Sequence, residues 1–357
     1  MTARSVFGVG IGQSALDDRQ DDPALHRAIH EELLEDLAVH GQLVFTSQGE
    51  LERFVEAVKA LPTHLAKAWE TVLSSRRVTV SITEPESTPD LSEVLDPSDL
   101  ERRVAPGVEL VLLDAEQAVL LGVPPDEFSV RTPGGLVEIG RLTTATRTAT
   151  ILGAHQVMEA PMREDADREA EWAERWGPLA ASTTPIVIYD KYVGMQTARR
   201  YIYGHDFGDG LTWLLTRISA MPERRVRIIT AIPSPKPGKE RIDERVIAAG
   251  ILALKDSLDR GIGIDLVLVP ERQRVGERRT VERFGHDRHI RFGERAVLAL
   301  GLGVQSFEHP KFRETITVAR LPVADAKDRE ERAAKAAVRP PRGGWLAWAR
   351  SLQSPPD

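Results

Sequence analysis

Residues 284–292 read Phe284-Gly285-His286-Asp287-Arg288-His289-Ile290-Arg291-Phe292. Two His, two Arg and one Asp share these nine positions, and Ile290 and Phe292 alternate with charge. Period-2 alternation predicts a strand with one face buried. Gly293-Glu294 follows as a turn, then the apolar run Ala296-Val297-Leu298-Ala299-Leu300-Gly301-Leu302-Gly303. The stretch predicts a β-hairpin that displays imidazole and guanidinium groups. Successive strand residues face opposite sides, so His286 and Arg288 share one face while Asp287 and His289 share the other.

Further strands are predicted upstream at Ile186-Val187-Ile188-Tyr189-Asp190, Val226–Ala231 and Ile262–Leu268, with Thr315–Val318 closing the sheet. Helices over about 208–219 and 240–260 alternate with them. Pro233–Lys239 reads as a stiff basic loop. A second basic loop carries Arg272, Arg274, Arg278, Arg279 and Arg283, diluted by Glu271, Glu277 and Glu282. In the first half, strands are expected at 5–11, 43–45, 77–82, 108–113 and 136–139. A helix begins at Asp21-Asp22-Pro23, where Pro and acids suit a first turn. Ser47 with Glu50 makes a capping-box pattern, and Leu61-Pro62 breaks the helix that follows. Residues 162–175 are predicted helical, closed by Gly177-Pro178, and the domain boundary is placed between there and Pro185.

Alternating strands and helices imply an α/β fold class. The expected organisation is an acidic α/β domain over 1–180, an α/β domain with a central mixed sheet over 184–323, and a helical or flexible tail over 324–357. Trp345-Leu346-Ala347-Trp348-Ala349-Arg350 is either a short amphipathic anchor for a partner or a membrane surface, helped by Arg342 and Arg350, or a segment folded back on its own domain.

A length of 357 residues suits about two domains. Residues 1–183 carry 16 basic and 32 acidic side chains, whereas residues 184–320 carry 24 and 17. This asymmetry suggests two modules with different partners, the basic one facing phosphate and the acidic one a protein; the alternative is simply two solvent-facing surfaces of different sign. The chain has no cysteine, which excludes thiol catalysis and thiolate-bound zinc and suits a reducing cytoplasm. The N-terminus has no secretory h-region, and no apolar run approaches the ~18 residues of a membrane span. In the acidic half, Asp17, Asp18, Asp114 and Glu116 could gather at strand ends of a PIN-like nuclease fold and bind Mg2+; the alternative is that they are solvent-facing. Gly8-x-Gly10-x-Gly12 lacks a helix in register, so a dinucleotide fingerprint is not expected.

From Ile186 to about Val318 the chain resembles one family. Ile188-Tyr189-Asp190-Lys191-Tyr192, Val226–Thr230, Leu252–Leu258, the block His286-Asp287-Arg288-His289-Ile290-Arg291-Phe292, Leu300–Phe307 and Glu314-Thr315 carry the likeness. These residues resemble the C-terminal phospholipase D-like domain of the ESCRT-linked, MIT-domain-containing proteins and their bacterial relatives. Val304 stands where the family has Leu. The helical MIT module is not apparent, so ESCRT partners are not carried over. The resemblance implies a phosphate-ligand module for anionic head groups or nucleic acid, and a bacterial setting in conflict or phage defence. It also implies an incomplete catalytic signature: Arg288 occupies the Lys position of His-x-Lys, and Gly293-Glu294 stands in place of the later Asp.

The chemistry leaves three expectations open. As a binding module, Arg288 is the phosphate clamp, since a guanidinium takes phosphate oxygens bidentately. Tyr192, Asp190, His205, Arg291 and Arg279 join it as ligand-binding candidates. As a phosphodiesterase or nuclease, His286 is the nucleophile, and a homodimer brings the two His together. As an adaptor, the tail carries the interaction. The structural alternative is that His286 hydrogen-bonds Asp190, or that Asp287 pairs with Arg291. No cofactor is called for, and no metal site, because His286, His289 and Asp287 do not share a face.

Overall fold

A computed structural model describes residues 3–17, 22–74, 78–82, 107–123, 129–131, 137–205, 210–235, 241–258, 261–275, 279–282, 284–285 and 288–353, with positions 91, 94, 96, 100, 104 and 238. The fold is α/β, as the alternation of elements implies. The chain divides into two compact units after Met158, earlier than the boundary expected near 180. The intervening residues are tied into the second unit. Met162 bridges Ile316, Asp167 bridges Lys311, and buried Trp176 packs on Phe292 and Phe307 with ring centroids 6.1 and 5.3 Å away.

The first unit holds β1 (Phe7–Ile11), β2 (Gly41–Phe45), β3 (Thr79–Ile82), β4 (Val108–Leu113), β5 (Ser129–Arg131) and β6 (Glu138–Arg141). The sheet order is β3-β2-β1-β4-β6-β5, parallel except for edge strand β5. Both faces are covered, which is why the strands read as continuous apolar runs. Val9, Leu43, Leu110 and Leu112 pack with Leu37, Phe54 and Trp69 on one side, while Val44, Val111 and Leu113 pack with Leu91 and Ala118 on the other. Asp22 caps the helix Pro23–His40, its carboxylate accepting from Ala24 N at 2.8 Å. The Gly8-Gly10-Gly12 spacing serves close packing: a Cβ on Gly8 would lie 2.0 Å from Gly107 O. A 3-10 turn, Gln13–Asp17, follows it instead of a phosphate-binding helix.

The PIN-like expectation finds no support here. Asp114 is the N-cap of the helix Ala115–Leu120 and accepts from Gln117 N at 2.7 Å. Asp18 lies outside the described residues. Among the described residues no group of three or more His, Asp or Glu could hold a metal ion.

The second unit holds β7 (Ile186–Tyr189), β8 (Arg225–Ile232), β9 (Gly263–Pro270), β10 (Arg272–Val275), β11 (Arg279–Glu282), β12 (His289–Phe292), β13 (Ala296–Leu300) and β14 (Val318–Arg320). Its main sheet runs β14-β13-β12-β7-β8-β9. β7, β8 and β9 are parallel; β12, β13 and β14 are antiparallel to their neighbours, giving the expected mixed sheet. The helices Val193–Tyr203 and Glu244–Asp256 pack on each other, the first against β8 and the second against β9. Helix Val323–Ala336 packs on β8, β9, β12 and β13, and its Ala333 joins Val187, Tyr189, Ile229 and Val267 in one apolar cluster.

Three expectations are corrected. The basic loop before the hairpin is itself a hairpin, β10–β11. Helix starts at Arg168, not 162, because Asp167 caps it through the amides of Glu169 and Ala170. Gly177-Pro178 does not close that helix. A π turn over Trp172–Trp176 shifts the register, and Pro178 then sits in the first turn of Gly177–Ser182, where a missing N–H costs nothing. Of the two readings of the tail, the folded-back one holds: Trp345–Gln353 packs on Glu244–Asp256, burying Trp345 and Ala349 and pairing Arg350 with Asp256 at 2.5 Å. Among the described residues no helix is long and apolar enough to cross a membrane.

Candidate functional site

The site is built where β7 ends. Asp190 follows the strand and is buried, 2% exposed. Its Oδ1 accepts from Tyr192 N at 2.9 Å, and its Oδ2 accepts from Val304 N at 3.0 Å. One carboxylate thus starts the helix Val193–Tyr203 and anchors the turn after β13. Gly303 makes the second contact feasible. Its φ is +64°, and a Cβ there would fall 2.0 Å from Asp190 Oδ2. Burial pushes the Asp190 carboxyl above its ordinary value, against the amide hydrogen bonds and the charge of Arg288. Asp190 is therefore a tie between two segments, with its oxygens engaged inside the protein.

Arg288 sits one residue before β12, which pairs antiparallel with β7 through His289 and Tyr189. That register delivers Arg288 to the end of β7. Its carbonyl accepts from Leu300 N at 3.0 Å, fixing the backbone. The guanidinium carbon lies 4.8 Å from the Tyr192 ring centroid, a cation–π contact. Among the described residues its buried Nε has no hydrogen-bond partner. The structure therefore brings Arg288, Tyr192 and Asp190 together, three of the residues picked from the sequence.

The other picks separate. Arg291 is not available to a ligand, contrary to expectation. Its Nε and Nη2 donate to the two Glu330 carboxylate oxygens at 2.9 and 2.7 Å, and Nη1 donates to Gly293 O at 2.6 Å. His289 Nε2 also lies 3.2 Å from Glu330 Oε1. His289 stacks on Tyr189 at 4.9 Å, and Tyr189 on Phe284 at 4.5 Å. β12 is thus buried on both faces, not one, because helix Val323–Ala336 brings Glu330 onto its polar side. Burial pushes the Glu330 carboxyl up, but the hydrogen bonds from His289 and Arg291 and the Arg291 charge outweigh it and hold it below the ordinary value. The hairpin displays none of these groups.

His205 is exposed and follows Gly204 at the end of the helix Val193–Tyr203. It lines a second hollow of about 380 Å³ with Arg199, Tyr203 and Gln305, beside the Arg200–Glu308 ion pair at 3.0 Å. Arg279 opens β11 opposite Val275. His286 and Asp287 lie outside the described residues.

A cavity of about 360 Å³ is not legible in the sequence. It lies at the carboxyl ends of β7, β8 and β9, the edge where open α/β sheets place ligands. Tyr192 and Lys191 line it beside Ile232–Pro235 and Glu271. Lys191 is 4% exposed and its Nζ lies 3.1 Å from Glu271 Oε1. Glu271 Oε2 accepts from Ser234 N at 3.0 Å. Burial raises the Glu271 carboxyl, but the Ser234 amide and Lys191 prevail and hold it below the ordinary value. The available signal is Lys191, a cation directly after a buried parallel strand; Glu271 reads only as dilution of a basic loop. No family model, no curated protein and no solved structure matches the chain, so the site rests on its own geometry.

Proposed function

We propose that the second unit binds a phosphate-bearing ligand at the carboxyl edge of β7, with Arg288 as the clamp. The observation that carries this is the place of the Arg288 side chain: half-buried at the end of β7, with its guanidinium carbon 4.8 Å from the Tyr192 ring centroid. A guanidinium takes phosphate oxygens through charge-assisted, bidentate hydrogen bonds. The likeness of this stretch to the phospholipase D-like family supports the same reading, including a cytoplasmic role in bacterial conflict. The acidic first unit then handles a protein partner.

The test is binding of full-length protein to a labelled single-stranded oligonucleotide and to vesicles containing anionic lipid, at low and moderate salt. Arg288→Ala should weaken whichever probe binds by about ten-fold or more, and Arg288→Lys by less, since ammonium neither stacks nor forks. Equal binding by wild type and Arg288→Ala refutes the clamp. Cleavage of the oligonucleotide that is lost in His286→Ala would favour the dimeric phosphodiesterase instead.

A further inference from the structure

We infer that the ligand of this site is a mononucleotide, its base seated in the cavity over β8 and its phosphate on the cationic rim and Arg288. The inference rests on the reading of Arg288 as a phosphate clamp and adds what the rest of the ligand is.

Tyr192 carries the connection. Tyr192 lines the cavity, and Arg288, which is not among the lining residues, lies 4.8 Å from its ring centroid, so the clamp stands one side chain away from that hollow. About 360 Å³ is the size of a small-molecule site and holds no folded polymer. The rim is chemically uneven. Among its acids, Asp243 caps the helix Glu244–Asp256 through the amides of Arg245 and Val246, where the helix dipole offsets part of its charge, and Glu271 is paired with Lys191 and accepts from Ser234 N. Glu244 remains as a countercharge. Arg199, Arg241 and Arg272 also reach the cavity, and all three are exposed. The rim therefore favours an anion.

The interior selects the rest. Met195, Ile232, Pro233 and Pro235 supply apolar wall, while Lys191, Glu271 and Ser234 supply polar groups at one end. An acyl chain would strip water from that polar end without replacing its hydrogen bonds. An inositol ring would turn hydroxyls against proline, methionine and isoleucine. A nucleobase has apolar faces and a polar edge, and meets both.

The experiment is calorimetric titration of full-length protein with AMP, GMP, CMP and UMP, each compared with its nucleoside and with inorganic phosphate. At least one mononucleotide should bind about ten-fold or more tightly than both, the gain expected from seating one base. Met195→Trp fills the cavity and should reduce nucleotide affinity to that of inorganic phosphate while leaving phosphate binding unchanged. Arg199→Glu, at an exposed helix position, should also weaken the nucleotide. Arg288→Ala should weaken nucleotide and phosphate alike. Nucleotides that bind no better than phosphate, or a nucleotide affinity indifferent to both Met195→Trp and Arg199→Glu, overturn the inference. Phosphate binding indifferent to Arg288→Ala overturns the clamp, and the cavity variants still decide the base.

Discussion

Replacing Glu330 by Gln tests the joint between β12 and the helix Val323–Ala336. The substitution keeps volume but removes the charge that faces Arg291, whose side chain is 9% exposed. Wild-type Glu330 accepts from Arg291 Nε, shared between its two oxygens at 2.9 and 3.1 Å, and from Nη2 at 2.7 Å, with a further contact from His289 at 3.2 Å. The introduced amide would offer one acceptor oxygen and turn an NH2 toward these donors. Removing one partner of a buried pair strands the other, at a cost of about 3–5 kcal/mol. All tryptophans except Trp69 lie in the second unit, so fluorescence follows its unfolding. With a urea slope of about 2–3 kcal/mol per molar, the midpoint should fall by roughly 1–2.5 M. The double variant Arg291→Met, Glu330→Met leaves no stranded charge and should recover most of the loss. The pH dependence has a defined sign. Glu330 is held below its ordinary value of 4.5, so its contribution is complete above that value and is lost as pH falls through the folded-state pKa. The Gln variant should lack this acid limb. A midpoint shift under about 0.3 M, or a double variant no more stable than the single one, refutes the assignment.

Three further outcomes are expected. Burial, reinforced by the neighbouring His26 and His64, lowers the His30 pKa from 6.5 to about 4. The unfolded chain therefore takes up a proton that the folded first unit refuses, and stability should drop by about 3 kcal/mol as pH falls from 6.5 towards 4; His30→Gln, which keeps an acceptor for Trp69 Nε1, should flatten that slope in acid-unfolding curves. Gly303→Ala places a Cβ 2.0 Å from Asp190 Oδ2 and 2.7 Å from Arg288 Cδ, so it should displace Arg288 and abolish anion binding, and unchanged binding would contradict the described turn. Asp190→Asn leaves this position one acceptor where two are used, and should cost about 1–3 kcal/mol while accelerating hydrogen exchange of the Val304 amide.

The alternation of elements is legible because buried parallel strands such as Val108–Leu113 are apolar throughout and helix starts such as Asp22-Pro23 are marked. The capping box at Ser47 is half legible. Ser47 Oγ accepts from Glu50 N at 3.2 Å, but the Glu50 carboxylate returns to Thr46 N at 2.6 Å and not to the cap amide. The helix Val193–Tyr203 escapes a sequence reading because its start carries no capping side chain of its own; Tyr192 fills that position and Asp190 serves it from two residues back. β12 misleads for a related reason. A strand reading His-Ile-Arg-Phe looks half exposed unless a distant acid covers its polar face, and nothing distinguishes Glu330 among the charges of an acid- and base-rich helix. Arg288 and Tyr192 emerge from their motif, whereas the cavity does not, since its walls come from three strand ends far apart in sequence.

The Glu330 pairing also has a consequence for the order in which the protein is made. β7 leaves the ribosome about a hundred residues before β12, and β12 still lacks its counterion until Glu330 follows some 40 residues later. Until then a nascent chain carries His289 and Arg291 on a strand that has no dry place to go. The second unit therefore closes as one late event, when helix Val323–Ala336 has emerged, while the first unit has every strand of its sheet in hand by Arg141.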